Sequence, residues 1–180
     1  MATPKLIPDQ ITEISSLVAD YISMQRQKFF HRATPLTSQQ RGAVGRFFAP
    51  VLLDNVLLLV LEGERVPNPD FYPMLRSLGF KNLPDQSGMA AITFCDVVVS
   101  HERFSDGLLF HELVHVEQYR QLGIQRFAEL YVQGFLNGGG YEAILLEVNA
   151  YTLEDHFRRE PHRAFSVEQE VAKLASEGRL

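Results

Sequence analysis

The chain has a single cysteine, Cys95, among its 180 residues. That excludes an intrachain disulfide and any zinc site built from thiolates. Positive charge is scarce as well: 17 Lys and Arg stand against 22 Asp and Glu, a formal net charge of −5, and no basic run is sustained. Phosphate backbones are bound by clustered Lys and Arg, so nucleic acid is not expected as a partner. Long apolar runs are missing too. The longest, Val51 to Leu61, is interrupted by Asp54 and Asn55, and it falls short of the roughly 20 residues a membrane-spanning helix needs. No membrane insertion is expected. Met1 to Gln10 has no apolar core of signal-peptide length, which makes the cytoplasm the default location and leaves leaderless secretion open. Repeats, low-complexity tracts and an interdomain linker are absent, so residues 1–180 are expected to form one domain around one core.

What is present is a strong helical pattern with a short β-rich middle. Asp9 can cap a helix from about Gln10 to Phe30, with Ile11, Ile14, Leu17, Val18, Tyr21, Ile22 and Phe29 as its apolar stripe. Thr37 and Gln40 have capping-box spacing and predict the start of a second, shorter helix. Val51 to Leu61, short and rich in Val and Leu, reads as a buried strand. Prolines 67, 69 and 73 mark a loop, with one helical turn around Phe71 to Leu78. Met89 to Ser100 reads as one bent strand or two short ones, with Cys95 as a small buried hydrophobe in it. A helix from about Ser105 to Leu122 ends at Gly123; another runs from about Ile124 to Phe135 into the glycine turn Asn137 to Gly140. Tyr141 to Arg159 is helical again and is stopped by Pro161, and Ser166 caps a last helix to about Ala175. The expected class is α+β, helix-rich with a small antiparallel or mixed sheet.

One pentapeptide carries chemistry: His111-Glu112-Leu113-Val114-His115. Residues four apart share a helix face, so His111 and His115 can bind one metal ion, with Glu112 beside them to take a proton from an activated water. This is the H-E-x-x-H arrangement of zinc metallopeptidases. Catalytic zinc keeps three protein ligands and an open position, so a third donor is required. Glu147, 32 residues after His115 and in the middle of the predicted 141–159 helix, is the first candidate. The glycine turn would let that helix fold back onto the motif helix. Glu142 is the second candidate, although a first-turn carboxylate already has a helix-dipole reason to be there. His156 and His162 stand in a charged stretch and read as solvated. An oxyanion-stabilising group is expected from Tyr141 or Tyr151, which flank Glu147; Gln118 or Asn149 would hold the histidine tautomers.

His111-Glu-Leu-Val-His115 with a downstream helical glutamate resembles the gluzincin branch of zincin metallopeptidases. The wider pattern resembles a group of bacterial zincin-like domains of unknown function. In these, a β segment like Ala91 to Val99 precedes His-Glu-Leu-x-His-x-x-Gln-Tyr, which ends here in Gln118 and Tyr119; a later Glu-x-x-Ala, here Glu147 to Ala150, supplies the last ligand. The resemblance spans roughly residues 50–155 and leaves out the first helices and the tail. Position 121 is Gln, so the third histidine of the metzincin motif is absent, as is the Asn-Glu-x-x-Ser-Asp spelling of thermolysin-like enzymes. The resemblance implies a zincin-like fold, a Zn²⁺ ion on His111, His115 and Glu147, and Glu112 as general base in hydrolysis of a peptide or protein substrate. Two other functions compete: a catalytically silent metal-binding or interaction module, and a bacterial effector domain aimed at one host or rival protein.

Overall fold

The computed structural model describes residues 6–138 and 140–180. Helix α1 (Pro8–Phe30) starts earlier than expected: Pro8 occupies the first turn, where its fixed φ and missing N–H cost nothing. Asp9 is therefore inside the helix and not its cap; the Gln10 side chain accepts from the Ile7 N–H at 3.1 Å instead. Its buried face holds Ile14, Ala19, Tyr21, Ile22 and Phe29, much of the expected stripe. A two-residue strand β1 (Thr34–Pro35) leads to α2 (Ser38–Val44), which opens on the Thr37–Gln40 capping box in both directions.

The segment after Pro50 departs from expectation. Residues Pro50–Asn55 form a short helix α3, and only Leu57–Val60 is strand β2. Pro50 again sets a helical first turn, and the Asn55 side chain donates to the Val51 carbonyl at 2.7 Å, closing that turn. Val51 is consequently exposed. Next come α4 (Tyr72–Ser77), a single 3-10 turn (Gln86–Gly88), and two strands, β3 (Ala91–Phe94) and β4 (Val97–Ser100). The sheet is mixed, in the order β1-β2-β4-β3, with β2 parallel to β4 and the other two pairs antiparallel.

Cys95 and Asp96 form the two-residue turn of the β3–β4 hairpin, so Cys95 is half-buried in a turn and not a strand residue. Its φ of 62° is the positive value that the first position of a type II′ turn demands and that glycine usually supplies. Asp96 is pinned by a bidentate Arg26 from α1, one oxygen at 2.7 Å from Nη2.

Helix α5 (Asp106–Gly138) carries the pentapeptide and breaks at Gly123, whose φ of 73° and ψ of 166° are non-helical. The break falls where the motif helix was expected to end, and Tyr119 and Phe127 stack across it at 3.8 Å between ring centroids. Then follow a 3-10 turn (Tyr141–Ala143), helix α6 (Leu145–Arg159) and helix α7 (Val167–Ser176), the last capped by Ser166. The predicted continuous helix from Tyr141 is thus divided by an extended Ile144. Part of the expected glycine turn, Gly139, lies outside the described residues; Gly138 ends α5 and Gly140 is extended.

Two contacts fix α6 on α5. Phe110, next to the first motif histidine, stacks on Phe157 at 4.5 Å inside a cluster with Phe47, Phe48 and Phe165. At the other end, Gly134 lies against Ile144 so closely that an added Cβ would sit 3.2 Å from the Ile144 Cα. Among the described residues no helix is long and apolar enough to cross a membrane.

Candidate metal centre

Helical spacing puts His111 and His115 on one face of α5, and that face meets the start of α6. Because Ile144 is extended, Glu147 falls in the first turn of α6, not mid-helix as expected, where the helix dipole favours its charge. The three donor atoms form a nearly equilateral triangle. The two Nε2 atoms are 3.2 Å apart, and Glu147 Oε2 is 3.4 Å from His115 Nε2 and 3.6 Å from His111 Nε2. For a tetrahedral first-row dication with bonds of about 2.1 Å, donors would be separated by about 3.4 Å. The triangle has that size. These residues form a buried His/His/Glu group that could hold a metal ion.

The protonation pattern supports the same conclusion. His115 Nδ1 is 2.8 Å from Gln118 Oε1, and the Gln118 amide is oriented by donating from Nε2 to the Leu146 carbonyl at 3.0 Å. An amide oxygen only accepts, so Nδ1 carries a proton, and in the neutral ring Nε2 is a lone pair. His111 Nδ1 faces the Glu154 carboxylate at 3.2 Å and donates for the same reason. When both rings are neutral, two Nε2 lone pairs and a carboxylate oxygen therefore converge. Glu147 Oε2 is buried and has no hydrogen-bond partner, and a cation held between the three atoms would supply one.

Electrostatics tell the same story. Burial works against a charged His111, yet Glu147 and Glu154 outweigh it and raise the imidazole to about 9. His115 is raised too, burial being offset by Glu147. Burial opposes the charge on Glu147, but His115, His111 and Tyr141 hold it below the usual carboxylate range. A site that draws protons this strongly also suits a dication, which can take their place.

Glu112 points to the sheet side. Its Oε2 accepts from the Thr93 hydroxyl of β3 at 2.7 Å, and Thr93 also reaches the Glu112 carbonyl at 3.2 Å. Complete burial raises its pKa, only partly countered by His115, His111 and Thr93. Glu112, His115, Glu147, Thr93 and Tyr141 together line a cavity of about 100 Å³.

The remaining candidates separate clearly. Tyr141 lines that cavity and its hydroxyl is within hydrogen-bonding reach of Glu147. Tyr151 is 54% exposed and lies outside the cavity lining; its ring packs on His111 at 4.4 Å. Glu142 is exposed and outside the donor group. Asn149 donates to the Arg179 carbonyl at 2.7 Å, leaving Gln118 as the partner of His115.

Two residues of the site were missed from sequence. Glu154, held by Arg158 at 2.7 Å, is the partner of His111. It lies seven residues after Glu147 on the same face of α6, so helical periodicity was the available signal. Thr93 had no signal, because only the packing of β3 on α5 brings it to Glu112. No protein-family model, no curated protein and no solved structure matches this chain.

Proposed function

We propose that the protein is a zinc-dependent metallopeptidase in which His111, His115 and Glu147 hold the ion and Glu112 is the general base. The observation that carries this is the convergence of two imidazole Nε2 atoms and one carboxylate oxygen on one point, with Glu147 Oε2 otherwise without a hydrogen-bond partner. Two imidazoles and one carboxylate at tetrahedral spacing suit zinc. The β3 edge packed on the motif helix makes the domain a reduced zincin in this reading.

Zinc held by these donors would supply Lewis-acid activation of a water molecule and of a substrate carbonyl. The residues of the chain supply the rest. Glu112 has Oε2 fixed by Thr93, which leaves its other oxygen to take a proton from the attacking water and deliver it to the leaving amine. Burial of Glu112 raises its proton affinity, as that double duty requires. Gln118 and Glu154 keep both imidazoles in the tautomer that presents Nε2. Tyr141, on the same cavity, is the group placed to donate to a developing oxyanion, and Tyr151 orients His111 by packing.

Protein purified without added metal should contain about one zinc per chain and should hydrolyse a peptide library. Glu112→Gln should retain the zinc and lose turnover. Full turnover in that variant would remove Glu112 from the mechanism. A second reading is favoured by one observation: the three donors are only 5–6% exposed and join α5 to α6. Zinc would then act as a clamp, chelation would lower the melting temperature, and no peptide would be cut.

A further inference from the structure

Gly107 is buried in the first turn of α5, four residues before His111 and therefore on the same helix face. The guanidinium of Arg158 from α6 lies over it: an added Cβ would sit 2.5 Å from Arg158 Nη2 and 2.7 Å from Cζ and Nε. We propose that Arg158, seated in the slot that Gly107 leaves open, is a positioning residue that acts through Glu154 on His111. The proposal rests on the metal-centre reading above and adds to it a residue and a slot outside both the donor group and the cavity.

Three observations carry it. First, the two oxygens of Glu154 are divided between two partners. Oε1 accepts from Arg158 Nε at 2.7 Å and faces Nη2 at 2.6 Å, while Oε2 faces His111 Nδ1 at 3.2 Å. With Oε1 held by the guanidinium, the carboxylate cannot turn without breaking that pair, so Oε2 stays on the His111 ring. Second, the first turn of a helix is an unfavourable place for a cation, so the ion pair with Glu154 is what holds the guanidinium there. The Arg158 side chain is 60% exposed, and an ion pair at that exposure adds little stability; its effect is on the direction of the carboxylate. Third, the slot cannot widen. Phe110 and Phe157, the residues just before His111 and Arg158, stack at 4.5 Å and hold α5 against α6 at this level. A methyl group at position 107 therefore displaces the flexible guanidinium and not the helix.

The two histidines are held unequally as a result. The Gln118 amide that faces His115 Nδ1 is oriented by the Leu146 carbonyl within the core. The Glu154 carboxylate that faces His111 Nδ1 is oriented by a side chain reaching in from the surface. His111 is thus the ring that can be released without unpacking the core, and Gly107 is the position from which to release it.

Gly107→Ala tests this, because alanine ordinarily stabilises a helix relative to glycine and a loss of metal affinity cannot then come from a weakened helix. Zinc affinity is measured by competition with a chromophoric chelator for Gly107→Ala, for Arg158→Gln at its exposed position, and for the double variant, with circular dichroism as the check on folding. Each single change should weaken zinc binding about tenfold, the low end of what outer partners of ligating histidines are worth. The double variant should lose no more than either single one, since both changes break the same link. In NMR spectra of the zinc-loaded wild type, the Nδ1 protons of His111 and His115 should both be sharp and shifted downfield. In Gly107→Ala the His111 signal should broaden or move, and the His115 signal should stay. Wild-type affinity in either single variant overturns the proposal, as do losses that multiply in the double variant or a spectral change that falls equally on His115. Any of these, with zinc still bound by the wild type, leaves the metal-centre reading standing. Failure of the wild type to bind zinc overturns that reading and the proposal with it.

Discussion

Removing Glu147 should cost more metal affinity than any other single change outside the two histidines. Its Oε2 sits 3.4 and 3.6 Å from the paired Nε2 atoms, and Glu147→Ala leaves two lone pairs facing each other with no anionic donor. Structural zinc in four-ligand sites is bound by roughly 10–16 kcal/mol, so one ligand accounts for about 3 kcal/mol, a loss of roughly 100-fold. Glu154→Gln keeps the ring partner of His111 but removes its charge, and outer partners of this kind are worth about 10- to 100-fold. Glu142→Ala, at an exposed position away from the donors, should change nothing. The assay is competition for zinc against a chromophoric chelator at neutral pH, with circular dichroism confirming that each variant is folded. The expected order of loss is Glu147→Ala, then Glu154→Gln, then Glu142→Ala. Glu147→Ala binding zinc as tightly as the wild type would refute the donor triangle. A loss in Glu142→Ala alone would move the third ligand to the other side of Ile144.

Other consequences can be checked independently. Thr93→Val removes a hydrogen bond that favours the Glu112 carboxylate, so the acid limb of the pH–rate profile should move to higher pH; an unmoved limb would dissociate Glu112 from it. In the metal-free protein His111 is raised from 6.5 to about 9. Its protonated form therefore stabilises the fold fully below pH 6.5, and that contribution, at most about 3 kcal/mol, is lost as pH rises toward 9. Chelator-treated protein should melt progressively earlier across that window, and saturating zinc should flatten the dependence by holding the imidazole neutral. Gly134→Ala pushes a Cβ against the Ile144 backbone; the overpacking, about 1–3 kcal/mol, should exceed the helix-propensity gain of about 1 kcal/mol. A lower melting temperature together with weaker zinc binding is expected, because Ile144 leads into Glu147. Burial, with a contribution from Asp96, pushes the Cys95 thiol to about 11 from 9.0. Its reaction with a disulfide reagent at mildly alkaline pH should be roughly 100-fold slower than that of a free thiol, in line with its smaller thiolate fraction. A rate equal to that of a free thiol would show the burial to be wrong.

The helices were largely legible from sequence because their signals are local. The Thr37–Gln40 box and the Ser166 cap lie within one turn of the helices they start, and Gly123 supplies the positive φ at its own position. Where expectation failed, a local signal was outweighed by another. Val and Leu after Pro50 suggested a strand, but proline geometry and the Asn55 side chain stabilise a helical turn. Cys95 looked like a strand residue because its neighbours are, yet the β3–β4 register requires a two-residue turn at that point.

The sequence by itself determined half of the candidate metal centre. His111 and His115 are four residues apart on a helix, and the 3.6-residue repeat places both on one face whatever surrounds them. The tertiary structure decided the rest. Which carboxylate becomes the third donor depends on where α6 begins and how it lies on α5, and those are set by Phe110 on Phe157 and by Ile144 against Gly134. The tautomers that turn Nε2 inward depend on Glu154, 43 residues from His111, and on a Gln118 amide oriented by the Leu146 carbonyl. These are contacts between segments far apart in the chain. Helical geometry fixes neighbours within a turn, but only packing fixes which face of one helix meets which face of another.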